Sequence, residues 1–372
     1  MNVLFDHQVF SFQEYGGISR YYSQLIKELS SRDDIHPAVL IKYSNNAYLR
    51  SINNLEPKPF FRSHRFKGRN ELIRLLNQSY CKSEYQQRNP PDIFHPTYYH
   101  PYFLDVIGKV PFVLTIYDMA HELYPGMFHP LDFTIRNKKT LALKASRVIA
   151  ISENTKNDVV RMLGVPESSI DVIPLATDIS VDTSVKYPDS LPEDFILYVG
   201  ARNTYKNFPF FLRAIQFLFK ETKNISVICA GGGSFSAKEL KLIDTLGLSK
   251  KVFQVNVSDG LLAVLYSKSK AFVYPSLYEG FGIPVLEAFS CGAPAVLSNR
   301  SSLPEVGGDA AVYFDPENAD SLVSVLRSLI YQKNNTDEMT AKGFERAKLF
   351  SWRRTADQTL DTYTKVLKSE TH

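Results

Sequence analysis

The sequence predicts an α/β protein of two doubly wound, parallel-sheet domains. Two observations predict it. Short apolar, β-branched runs alternate with longer amphipathic stretches in two successive series. Between the series lies a loose, acidic, proline-bearing stretch, PLATDISVDTSVKYPDSLPED, from Pro174 to Asp194. A length of 372 residues with 44% hydrophobic and 22% charged residues suits two ordinary globular cores.

The first series places strands at Val3–Phe5, near Ala38–Ile41, at Ile93–Phe94, Phe112–Ile116 and Val148–Ile151, with a helix over Ile18–Leu29. The second begins with FILYVG at Phe195. It continues through a helix near Phe210–Phe219, ISVICAGGG, a helix near Ala237–Leu246, KVFQVNV, a helix near Leu261–Tyr266, and AFVYP. APAVLS, AAVYF and helices over Ala319–Tyr331 and Asp337–Leu349 follow, and a last helix covers Arg353–Leu367. The predicted boundaries are 1–178 for the first domain, 179–194 for a linker and 195–352 for the second.

Composition excludes several classes. Cys81, Cys229 and Cys291 lie far apart without metal or redox spacing, which suits reduced, buried thiols. The start MNVLFDHQVF has no basic leader, and no run of about eighteen apolar residues occurs, so a cytoplasmic protein is expected. Residues 55–88 are locally basic: Lys58, Arg62, Arg65, Lys67, Arg69, Arg74, Lys82 and Arg88 stand against Glu56, Glu71 and Glu84. Interleaved with Phe60, Phe61, Phe66 and Tyr80, they suit an anionic membrane surface or an acidic partner, with a solvated helix as the alternative. No recognition motif for nucleic acid accompanies them.

The densest chemical signal is YPSLYEGFGIPVLE, Tyr274–Glu287, where Glu279 and Glu287 flank a glycine-bracketed turn and a proline-started helix. Gly280 and Gly282 allow close backbone approach, and Pro284 suits the first helical turn. A helix start attracts anions, so the carboxylates themselves suit hydroxyl-rich groups such as ribose or hexose, and the whole points to a nucleotide sugar. After FILYVG, Arg202 and Lys206 lie four apart, a like-charged pair that a bound diphosphate would explain; solvated surface charges are the alternative. Gly16 and Gly17 precede a helix without GxGxxG, which argues against a nicotinamide-dependent oxidoreductase. Gly231–Gly233 either border a ligand or close a turn.

Read in order, GGISRYYSQLIKEL, AISENTKNDVV, DVIPLATD, VGARNTYKN, the block Asp259–Pro316 and FSWRRTADQTLDTY resemble the successive signatures of glycosyltransferase family 4 over nearly the whole chain. The resemblance implies a GT-B fold: two Rossmann-like domains facing across a cleft, with the C-terminal helix, 353–372, crossing back to complete the first. It implies that Glu287 holds the ribose, that Glu279 and the amides of Gly280, Phe281 and Gly282 hold the transferred sugar, and that Arg202 and Lys206 neutralise the diphosphate. Val257 would border the donor, Gly16 and Gly17 would approach its phosphate, and Arg20 would face the acceptor. Retention of anomeric configuration follows from the resemblance, as does catalysis with no metal or other cofactor.

The chain departs from the family where many members carry His-Asp; here Tyr117 and Asp118 stand in TIYDMAHE, and tyrosine does not titrate near neutral pH. His121 is either a substitute or a structural residue. The aromatic cluster around His95 and His100 suits core packing, with stacking on an acceptor sugar as the alternative, and Trp352 suits packing of the last helix. The opening DHQVF…GGISRYY is similar to bacterial mannosyl- and rhamnosyltransferases of surface polysaccharide synthesis. That similarity implies a GDP-linked mannose or deoxyhexose donor and a saccharide or lipid-linked saccharide acceptor. A UDP- or dTDP-sugar donor, or a non-catalytic carbohydrate-binding protein on the same scaffold, are the alternatives.

Overall fold

The computed structural model describes residues 1–52, 55–61, 66–202, 204–221, 224–331 and 334–370. Arg62 and Arg65 of the basic segment lie outside the described residues. The chain divides into two compact units, Met1–Leu175 with Trp352–His372, and Ala176–Ser351.

The first unit carries strands β1 (Asn2–Phe5), β2 (His36–Val39), β3 (Ile93–His95), β4 (Val113–Ile116), β5 (Arg147–Ala150) and β6 (Ile170–Val172). They form two parallel ladders, β2-β1-β3 and β4-β5-β6, joined by a bridge between Phe94 and Phe112. The helix Gly17–Ser30 buries Tyr21, Tyr22, Leu25, Ile26 and Leu29, the one-sided spacing that the sequence shows. The final helix, Trp352–Glu370, belongs to this unit: the Tyr363 hydroxyl bonds His95 Nδ1 at 2.6 Å, and Trp352 packs beside Tyr21.

His7 and His95 are buried, and burial pushes each pKa down to about 3 from an ordinary 6.5. Between those values the unfolded chain binds more protons than the folded one. Stability therefore falls as pH drops from about 6.5 toward 3, by about 1.4 kcal/mol per pH unit for each histidine. Asp6, raised by burial, works in the opposite sense with a single proton, so one histidine's slope is the least net effect. Urea unfolding of this unit should show about 1 kcal/mol or more lost between pH 6.5 and 5, because the unfolded histidines are only half protonated at the upper value; equal stability at the two values would contradict the assignment.

The second unit holds β7 (Phe195–Val199), β8 (Ser226–Ala230), β9 (Val252–Val255), β10 (Ala271–Tyr274), β11 (Ala295–Ser298) and β12 (Ala311–Phe314). One parallel six-stranded sheet results, in the order β12-β11-β10-β7-β8-β9. Its central strands are buried along their whole length, as near-continuous apolar runs such as FILYV require when helices cover both faces. Residues 179–194 form no helix or strand but belong to this unit, where Tyr187 stacks on Phe195.

Candidate active site

The chain leaves β7 outward to β9, then returns to β10 and runs outward to β12. The loops after β7 and β10 therefore diverge at the strands' carboxyl ends, which is where open α/β sheets form a ligand crevice. These two loops carry Lys206 and Glu279. Lys206 Nζ donates to both carboxylate oxygens of Glu279 at 2.7 Å and to the Tyr274 hydroxyl at 3.3 Å. The Leu277 amide donates to the Tyr205 carbonyl at 2.7 Å, locking one loop to the other. Burial, reinforced by Glu279, holds the Tyr274 hydroxyl far above its ordinary pKa, so it stays protonated.

The turn after β10 is fixed by the loop after β11. Ser301 Oγ accepts from the Glu279 amide at 3.2 Å and donates to its carbonyl at 2.5 Å. Ser302 Oγ is placed against the carbonyls of Glu279 and Phe281, each at 2.9 Å. Gly282 sits at φ +105° before the helix Ile283–Ser290, and a Cβ there would come within 3.0 Å of Leu303. Pro284 occupies that helix's first turn, as its fixed φ favours. The Phe281 ring is buried against Phe350, leaving Phe281 only its main chain for a ligand.

Glu287, buried on the same helix, accepts from the Tyr266 hydroxyl at 3.1 Å. Burial and the adjacent carboxylate raise the Tyr266 pKa well above its ordinary value, so this donor also keeps its proton. The two glutamates thus have separate anchors, a lysine for Glu279 and a tyrosine for Glu287. Val257 lies between β9 and Ser258, whose hydroxyl caps the helix Asp259–Lys268 by accepting from the Leu261 amide at 3.3 Å.

Arg202 departs from the expected basic pair. Its side chain is 3% exposed, and Nε donates to Glu239 at 2.7 Å. Its other nitrogens donate to the carbonyls of Gly231 at 2.9 Å, Gly233 at 2.8 Å and Ser234 at 3.0 Å. Gly231, Gly232 and Gly233 have φ of +79°, +70° and +73°, which turns their carbonyls onto the planar guanidinium fork. Arg202 and Lys206 therefore serve different partners, the first a turn and the second Glu279. A Cβ on Gly232 would meet Arg202 Nη1 at 2.7 Å and the Gly200 carbonyl at 2.8 Å. Gly232→Ala should accordingly destabilise the fold by about 2–4 kcal/mol, read as a lowered urea midpoint at unchanged slope.

The remaining expected residues lie in the first unit. Gly16 precedes the helix Gly17–Ser30, and a Cβ on it would sit 2.4 Å from Gln13 Oε1, which accepts from the Ser19 amide. Arg20 lies over the Tyr48 ring at 5.7 Å. Tyr117 is buried among Tyr21, Tyr22 and Tyr99, its hydroxyl lacking a hydrogen-bond partner among the described residues. Burial, then the neighbouring tyrosines, keeps it protonated. Asp118 Oδ1 accepts from the Ala120 amide at 3.0 Å, while its carbonyl accepts from Lys138 Nζ at 2.9 Å. His121 stacks on Phe128 with centroids 3.7 Å apart and points Nε2 at Asp132, 3.4 Å away; burial, then Lys138, lowers its pKa. His121 is thus engaged with the 128–132 loop.

Two family models match the chain, "Glycosyltransferase Family 4" over residues 15–181 and "Glycosyl transferases group 1" over 183–346. The chain belongs to glycosyltransferase family 4. It is 29% identical to the O-antigen chain mannosyltransferase B of Escherichia coli, over 93% of this chain and 95% of that protein. It is 28% identical to the O-antigen chain mannosyltransferase RfbU of Salmonella typhimurium, over 58% of this chain and 60% of that one. Among solved structures, sucrose-phosphate synthase from Thermosynechococcus elongatus superposes with a TM-score of 0.77 at 18% identity, covering 99% of each chain. HepE of Anabaena, solved with UDP and glucose, gives 0.73 at 18% identity over 97% of this chain and 99% of that one. The fold is GT-B, and this family 4 member is a glycosyltransferase.

Sequence reading of this glycosyltransferase missed six residues. Tyr266 and Tyr274 read as core aromatics of a helix and a strand, with only their final hydroxyl atom facing a motif glutamate or its lysine. Ser301 and Ser302 sit in a polar loop with no distinguishing spacing. The buried pair Lys138–Glu122, at 2.9 Å, left no signal in the sequence, because the helix Thr134–Lys144 exposes Ile135 and Leu143 while it buries the lysine.

Proposed function

We propose that this glycosyltransferase moves mannose, or a related deoxyhexose, from a GDP-linked donor to a saccharide or lipid-linked saccharide acceptor in surface polysaccharide synthesis, with retention of configuration. The observation that carries the reading is the likeness, over 93% of the chain, to an O-antigen chain mannosyltransferase. The diphosphate would lie at the start of the helix Ile283–Ser290, where the helix dipole favours anions. Lys206 would turn from Glu279 toward the leaving phosphate as its charge grows, a task for which the reading needs no metal ion. Glu287 would accept from ribose hydroxyls and Glu279 from the transferred sugar.

In the proposed step the C1–phosphate bond breaks with its electron pair on phosphate, and the acceptor oxygen forms its bond on the same face. The acceptor's proton passes to the departing phosphate oxygen. Glu279 has a positioning role in this scheme, since attack from the same face needs no carboxylate nucleophile, and a covalent adduct trapped on Glu279 would overturn that role. The reaction would run at the cytoplasmic face of a membrane, which the exposed Lys58 and Lys67 would approach, whereas Arg69 is buried against Glu14 and Arg74 pairs with Glu71. Among the described residues no helix is long and apolar enough to cross a membrane.

Thermal-shift titration with GDP, UDP, dTDP and ADP tests the donor assignment, since a ligand of the folded state raises the melting temperature by mass action. GDP should give the largest shift; a shift with UDP alone would sink it.

A further inference from the structure

We propose that the solvent-facing side of residues 128–144 is a membrane-contact surface that docks on an anionic phospholipid bilayer. The helix Thr134–Lys144 buries Lys138, Leu141 and Ala142. It leaves large apolar groups in water: Leu143 is 54% exposed, Ile135 38%, and the preceding turn adds Phe133 at 59% and Leu131 at 72%. Ile135, Lys139 and Leu143 follow one another at four-residue intervals, so they line one face, with the exposed Arg136 and Lys144 beside it. The only carboxylate in the segment, Asp132, faces His121 and caps the Thr134 amide at 2.9 Å.

A surface of exposed apolar groups interspersed with cations matches a bilayer interface, where apolar groups enter the acyl boundary and lysine and arginine meet lipid phosphates. Exposed apolar groups gathered on one segment mark an interaction surface.

The segment is tied to the residues after β4. His121 stacks on Phe128 and faces Asp132, while Lys138 holds the Asp118 carbonyl and Glu122. Further exposed apolar groups lie in the same unit. Phe12 contacts Tyr98 at 4.9 Å and shares one groove with Tyr15 and Phe66, where Glu14 is paired with the buried Arg69, and the helix Arg69–Gln86 beyond exposes Leu72, Leu75 and Leu76. A lipid-linked acceptor presented at a bilayer would so be delivered beside the Tyr117–Glu122 loop. That use rests on the proposed function, whereas the bilayer contact is read without donor or acceptor.

The test uses the full chain and vesicles of phosphatidylcholine with or without phosphatidylglycerol. Co-sedimentation should require phosphatidylglycerol. The variant Leu131→Ser/Phe133→Ser/Leu143→Ser should lose about tenfold or more in vesicle affinity, as should Lys139→Glu/Lys144→Glu. Both should keep the wild-type melting temperature and turnover of a short, water-soluble acceptor. As a second reading, the indole introduced by Phe133→Trp should become shielded from an aqueous quencher when vesicles are added, against the constant background of buried Trp352. Wild-type vesicle binding by both surface variants, or an introduced indole as quenchable with vesicles as without, overturns the proposal. So does loss of a self-associated species by the serine variant with no vesicle binding by the wild type.

Discussion

Replacing Lys206 with methionine should lower kcat by about 10²–10³-fold with a smaller change in donor KM, because its charge is most valuable when the leaving diphosphate develops negative charge. The same substitution leaves the buried Glu279 carboxylate without its partner, so the fold should also lose about 1–3 kcal/mol. These two effects are separable. The double variant Lys206→Met/Glu279→Gln removes both charges and should regain most of the stability while regaining none of the turnover. Kinetics and urea unfolding on the single and double variants form the necessary cycle. Recovery of turnover together with stability would make the pair structural.

Replacing Glu287 with glutamine should act on binding. A charged acceptor to a ribose hydroxyl is worth about 1.5–3 kcal/mol, so donor KM should rise about 10- to 100-fold with kcat little altered. The glutamine can still accept from Tyr266, which keeps the local packing and isolates the effect of charge. A donor analogue lacking the 2′- and 3′-hydroxyls supplies the control. Wild type should discriminate strongly against it and Glu287→Gln weakly. A variant that keeps full discrimination but loses kcat would mean that the roles of Glu279 and Glu287 are exchanged.

Much of the second unit is legible in the sequence for a simple reason. Its strands are buried on both faces, so FILYV, AFVY and AVLS stand out as continuous apolar runs bounded by glycine and proline. The first unit is harder to read. β6 is only Ile170–Val172, and helix Thr134–Lys144 presents Ile135 and Leu143 to solvent and a lysine to the interior, reversing the usual pattern. At the site, motif residues with backbone signatures, Gly282 and Pro284, sit where their conformational preferences put them. Charge spacing is silent on one point. Arg202 and Lys206 are neighbours in sequence, but three left-handed glycines present carbonyls to which the multi-donor guanidinium of Arg202 bonds. Sequence spacing carries no record of such a long-range claim on a side chain.

The central claim is that Lys206, Glu279 and Glu287 form a nucleotide-sugar site in which Lys206 assists departure of the diphosphate. The most direct test is release of nucleoside diphosphate from GDP-mannose by the purified protein, followed with and without a saccharide acceptor. The account predicts release that requires acceptor and is nearly abolished in Lys206→Met. Undiminished acceptor-dependent release by Lys206→Met would contradict it.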